Sequence, residues 1–298
     1  MNRWRWLLLM GLCWVGAGFA IFGLRQSPIR GDTHPPSYTG RVVSMAPNLT
    51  EILFALGLDD RIVGVTLDSN YPREAAKKPK VGTFWQPNIE AVIAAKPDLV
   101  ITLGFQRQRS FAERLRRVGY KTLVLSIENV SELFEAIKKI GVATAKQHEA
   151  NGLVSAIRQK LDGLSAQFGT SDRPRVLWIV QRQPLRVAGT NTFINEMIEL
   201  AGGQNAIGPT MHSYPPIGAE QVYACRVDVI IEPSMEQEGL AGQRNAALQY
   251  WSRFANVPAV VNKRVYIIPG DTVSRLGPRL GDGIETIARC LRPQLFGG

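Results

Sequence analysis

The sequence predicts an α/β protein of two lobes, each built on a mostly parallel sheet, with one long helix between them and a ligand cleft where the lobes face each other. Short apolar runs alternate with helical apolar patterns, which is the signature of strand-helix units. The pattern of the first half recurs in the second. At 298 residues the chain also exceeds one ordinary core.

The first unit is Arg41-Val-Val-Ser-Met-Ala-Pro-Asn-Leu-Thr-Glu-Ile-Leu-Phe-Ala-Leu-Gly57. Residues 42–45 read as a buried strand broken by Pro47. Asn48 with Glu51 three residues on reads as a capping box, and Gly57 stops the helix. Residues 61–66 form a second strand. Loops at 67–72 and 81–87 follow, and Asn88 caps a helix at 89–95. A strand at 97–104, a helix at 109–118, a strand at 121–126 and a helix at 130–140 complete a lobe spanning 41–143.

Between 144 and 168 the pattern changes. Leu153, Ile157, Leu161, Leu164 and Phe168 fall at steps of four and three, one apolar stripe on a helix of about 37 Å. The second lobe, 169–298, restarts with a strand at 175–180, a loop at 181–191 and a helix ending at Ala201-Gly-Gly203. A strand at 264–268 and a helix at 282–291 close it. Two echoes tie the halves together. Thr50 to Gly57 resembles Asn195 to Gly202, and residues 88–101 match 218–231 without a gap. Glu90, Val92, Ala94, Asp98 and Ile101 correspond there to Glu220, Val222, Ala224, Asp228 and Ile231.

Arg3 and Arg5 precede an uncharged apolar run from Trp6 to Leu24, which reads as an export signal or a membrane anchor at 1–24. Residues 25–40 read as a linker. Cys13 matches a lipoprotein box poorly, because Leu12 stands where a small residue belongs. The net charge of +10 is scattered, without the basic, aromatic-interleaved run of a nucleic-acid binder. Cys225 and Cys290 sit in apolar helical patterns and read as buried thiols, not a disulfide. His34, His148 and His212 lack metal-ligand spacing, so no metal site or resident cofactor is expected.

Two similar lobes set two groups of strand-end loops opposite each other, and the cleft between them is the expected binding site. Its candidate walls are 45–48, 68–71, 84–86, 104–108, 182–186, 211–214 and 271–275. Tyr71, Phe84, Trp85, Phe105 and Tyr214 suit a large, flat, partly apolar ligand. Pro47, Asn48, Gln86, Arg186 and Arg275 supply polar and backbone contacts. These loops hold no nucleophile-base pair, which argues against catalysis.

The opening motif, with Asn70-Tyr-Pro72, Trp85-Gln86, Ile89-Glu90 and Lys96-Pro-Asp-Leu-Val100, resembles the periplasmic substrate-binding proteins of ABC importers for cobalamin and iron-siderophores, most closely the cobalamin-binding members. The likeness spans 41 to 291. It implies two Rossmann-like lobes on one rigid helix, a monomer that carries a cobalt corrinoid or ferric chelate, and delivery to a permease dimer in the inner membrane. It assigns Tyr71 and Trp85 to aromatic contacts with the ligand, and places Tyr214 where the family has tryptophan. Arg186 falls near an aromatic position of the family. Arginine there suits carboxylates or phosphate. Glu90 and Glu220 match the two glutamates that dock on the permease. A ferric siderophore or haem is the alternative cargo, and a chelatase-like enzyme acting on tetrapyrroles a more distant one.

Overall fold

The structure, a computed structural model, describes residues 40–168, 173–234 and 240–296. The leader, Cys13, His34 and the linker up to residue 39 lie outside the described residues. Among the described residues no helix is long and apolar enough to cross a membrane.

The first lobe opens with β1 (Val42–Ser44), buried throughout, and α1 (Pro47–Ala55). Pro47 sits in the first turn, where a missing N–H leaves no bond unmade. The capping box expected of Asn48 and Glu51 does not form. Ala46 is the N-cap and has no side-chain bond, and Asn48 lies inside the helix. Next come β2 (Ile62–Val65), α2 (Arg73–Ala76) and α3 (Ile89–Ala94). Asn88 caps α3 as its sequence predicts, its Oδ1 accepting the Ala91 amide at 3.0 Å. Then follow β3 (Leu99–Leu103), α4 (Gln106–Arg117), β4 (Thr122–Leu125) and α5 (Val130–Ala143). The four strands form a parallel sheet in the order β2-β1-β3-β4.

The long helix α6 (Gln147–Phe168) has 22 residues, about 33 Å. It starts later than the stripe suggests, because α5 runs on to Ala143 and Thr144 closes it by bonding back to the Ile140 carbonyl at 2.7 Å. Its buried stripe carries Val154 where the sequence pointed to Leu153, which is half-buried.

The second lobe contains β5 (Arg175–Arg182), β6 (Leu185–Val187), α7 (Phe193–Leu200), β7 (Gln204–Asn205), α8 (Ala219–Ala224), β8 (Val229–Ser234), α9 (Leu240–Trp251), α10 (Pro258–Val261), β9 (Val265–Pro269) and α11 (Leu280–Leu291). Strands β5, β8 and β9 are parallel. β6 runs antiparallel against the end of β5, and β7 pairs with its beginning. The stretch 181–191, read as loop, therefore contains a hairpin with Arg186 on its outer strand. Helices α2, α9 and α10 escaped the sequence reading.

Alternation along the strands separates the faces of each sheet. Val42 and Ile101, with Val176 and Trp178 of the second lobe, belong to one core that runs continuously past α6. Val43 and Val100 face a separate cluster under α3 and α4, and Leu177 and Ile179 one under α9. The sequence echoes recur in the backbone. Gly57 and Gly202 both take positive φ, at 67° and 77°, where a side chain would be strained. Behind each, the next residue bonds five back, Leu58 N to Leu53 O and Gly203 N to Ile198 O.

Candidate functional site

A cavity of about 200 Å³ lies between the lobes at the carboxyl ends of the strands. The first lobe contributes Pro47, Asn48, Phe84, Leu103, Phe105 and Ile127, and the second Phe193, Ser274, Arg275 and Leu276. Sheet topology dictates this placement, since loops leaving parallel strands all emerge on one side. This cavity is smaller than the roughly 300 to 1,000 Å³ of ordinary ligand pockets. A larger groove of about 740 Å³ runs along α5, α6 and α7 and holds none of the predicted site residues.

Five residues expected at the cleft, Pro47, Asn48, Phe84, Phe105 and Arg275, thus meet in one cavity. Trp85 and Gln86 adjoin it through Phe84, whose ring meets Trp85 edge-on at 4.8 Å and Phe105 at 5.7 Å. Trp85 is 63% exposed and Phe105 47%, so apolar ring surface is presented to solvent with its base packed. Gln86 stays exposed in a turn, its amide bonded to Thr83 Oγ1 at 2.8 Å. Residues 106–108, expected in a loop, form the first turn of α4. From there Arg107 donates to the Trp85 carbonyl at 3.0 Å, and buried Gln108 donates to that of Phe84 at 2.7 Å. Arg186 and Tyr214 lie together in the second lobe, the guanidinium donating to the Tyr214 carbonyl at 3.2 Å. Burial raises the Tyr214 phenol above its ordinary pKa. Among the described residues these two share no hydrogen bond or ring contact with the other predicted site residues.

Beside the cavity the lobes are bonded to each other. Asn48 Nδ2 donates to the Leu276 carbonyl at 2.9 Å. Glu51, 4% exposed, accepts two bonds from Arg279 at 2.6 and 2.9 Å, a bidentate pair. It also stands 3.9 Å from Arg275. Burial works against the Arg279 charge, but the bonds and charge of Glu51 more than offset it and hold the guanidinium above its ordinary pKa. Arg275 pairs with Asp271 at 3.0 Å and donates to Asn70 Oδ1 at 2.8 Å. The expectation that Glu51 serves as a cap is therefore corrected: it is the buried partner of an arginine from the opposite lobe. Sequence reasoning missed Arg279, Ile127 and Phe193. The available signal was Glu51 itself, an acid flanked by Leu49, Ile52 and Leu53, since a buried carboxylate requires a partner.

Glu90 and Glu220 are both exposed and occupy the second position of equivalent six-residue helices. Among the described residues no group of three metal-ligating side chains converges.

Two lobes bridged by one long helix, with a cleft at their strand ends, are the architecture of a substrate-binding protein. The profile of the family described as Periplasmic binding protein matches residues 42–272, and the chain belongs to that family. It is 30% identical over 263 residues to the uncharacterized ABC transporter substrate-binding lipoprotein YvrC of Bacillus subtilis (strain 168), covering 86% of this chain and 81% of the relative. Among solved structures it resembles the periplasmic vitamin B12 binding protein BtuF of Vibrio cholerae, with TM-score 0.73 and 25% identity over 87% of this chain and 98% of that one. It equally resembles the periplasmic heme-binding protein BhuT in complex with two hemes, with TM-score 0.76 and 26% identity over 86% and 99%.

Proposed function

We propose that this protein is an extracytoplasmic binding protein, not an enzyme, that captures cobalamin or a related corrinoid and delivers it to the permease dimer of an ABC importer. The exposed aromatic surface of Tyr71, Trp85 and Phe105 beside an inter-lobe cavity carries this reading, because a flat macrocycle offers ring faces that stack on such side chains. Charge balance supports a corrinoid in particular. Arg275 and Arg279 already face Asp271 and Glu51, so the cleft floor suits amide side chains better than a pair of carboxylates. Glu90 and Glu220 serve as the docking pair, one per lobe, on a two-fold partner. The ligand enters by a modest hinge motion about α6.

A ferric siderophore or haem is the second reading. Arg186, whose described bond is to a carbonyl, favours it, because its charge is available to a ligand carboxylate. Native mass spectrometry of the protein purified from cells supplied with both cobalamin and haemin separates the two. A retained corrinoid mass is expected, and a retained haem or ferric chelate overturns the corrinoid assignment.

A further inference from the structure

Tyr71 is held from across the cleft. Its ring lies 3.9 Å from the guanidinium carbon of Arg279, which comes from the second lobe, and the residue remains 46% exposed. The neighbouring backbone is secured by the same C-terminal segment. Arg275 donates to Asn70 Oδ1 at 2.8 Å and to the Asp68 carbonyl at 3.3 Å, and Asn70 Nδ2 donates to Asp271 at 3.1 Å. Arg279 is fixed in turn by the two bonds to Glu51, which is buried in α1 of the first lobe. One planar side chain thus bridges a buried carboxylate and an aromatic ring.

We infer that Arg279 is a positioning residue that covers one face of Tyr71 and leaves the other face for ligand, with Glu51 setting its plane. The inference rests on the reading of Tyr71 as a ligand contact. A guanidinium stacked on a ring and gripped by a bidentate carboxylate has both its position and its orientation fixed. Because Arg279 belongs to the opposite lobe, the ring is in its binding pose only while the lobes are joined. Ligand stacked on the open face therefore favours the joined state, without Arg279 touching the ligand.

The test uses the full-length protein with its seven tyrosines replaced by 3-fluorotyrosine, the Tyr71 resonance being assigned by Tyr71→Phe. Arg279→Met is expected to move that fluorine resonance, and Glu51→Ala to move it the same way although Glu51 does not touch the ring. Arg279→Lys serves if the methionine variant does not fold, since it keeps charge but loses the planar stack. A Tyr71 resonance unmoved by the Arg279 change, or moved by it but not by Glu51→Ala, overturns the inference. A second arm titrates cyanocobalamin. Arg279→Met and Tyr71→Ala are each expected to weaken binding about tenfold, and the double variant about tenfold as well. A product of the two losses contradicts the inference. A wild-type protein that binds no cyanocobalamin overturns the proposed cargo instead, and the fluorine arm then decides the inference alone.

Discussion

Asp98 and Asp228 make the same bond in the two lobes. Asp98 Oδ2 accepts the Arg41 amide at 2.6 Å, and Asp228 Oδ2 accepts the Arg175 amide at 2.8 Å, each pinning the entry of a first strand to the turn before a neighbouring one. The residues two before them, Lys96 and Arg226, share a left-handed backbone with φ of 44° and 45°. Asp98→Asn and Asp228→Asn each replace a charge-assisted bond with a neutral one, and each is expected to cost about 1 kcal/mol. Because the sites share no partner, the double variant should lose the sum. Urea midpoints of the four proteins measure this, and a strong departure from additivity would show that the two bonds are coupled.

Much of the fold was legible because its signals are local. The gapless match of 88–101 to 218–231 reflects real backbone equivalence, and Asn88 caps the helix it was expected to cap. The site was legible only in part. Loops leaving parallel strands converge by topology alone, which is why Pro47, Asn48, Phe84, Phe105 and Arg275, all expected at the cleft, line one cavity. Glu51 was misread because its spacing from Asn48 fits a cap, whereas its partner lies 228 positions away. No local pattern marks such a pair. Likewise Phe193 and Ile127 look like ordinary core until both lobes are in place.

Glu51→Ala leaves Arg279, only 16% exposed, without its carboxylate. The loss is expected to be about 3 kcal/mol, as for other ion pairs broken on one side only. Chemical denaturation followed by circular dichroism reports it. A loss below about 0.5 kcal/mol, the range of an exposed surface pair, would mean that the lobes are joined mainly by other contacts.

Trp85 contributes little to packing, since most of its surface faces solvent. Replacing it by alanine is expected to weaken ligand binding about tenfold, in line with the loss of one aromatic stack. The melting temperature should stay close to that of the parent. A protein that melts early with unchanged affinity would place Trp85 in the fold and not in the site.

Glu90→Arg and Glu220→Arg reverse one charge in each lobe, at exposed positions. Ligand affinity is expected to remain unchanged while association with the importer falls with either variant and is lost with both. Binding to importer-loaded nanodiscs reads this directly. Undiminished association of the double variant would remove the docking role.

Cys290 is buried, and its thiol is pushed up to about 12 by desolvation, with Arg264 opposing. At pH 8 it should ignore a thiol reagent until the protein is unfolded, while Cys225, half-buried and not buried as its apolar pattern suggested, reacts in the native state. The native thiol holds its proton more tightly than the unfolded one does. Its contribution to stability is therefore full below its ordinary value near 9 and is lost as pH rises to about 12. Rapid native labelling of Cys290 would contradict this.

The proposed cargo is tested most directly by titrating the purified protein with cyanocobalamin, haemin and a panel of ferric siderophores under one set of conditions. One corrinoid per chain, bound more tightly than any other member of the panel, is the predicted result. Tight binding of haemin or a siderophore with no measurable corrinoid binding would contradict the account.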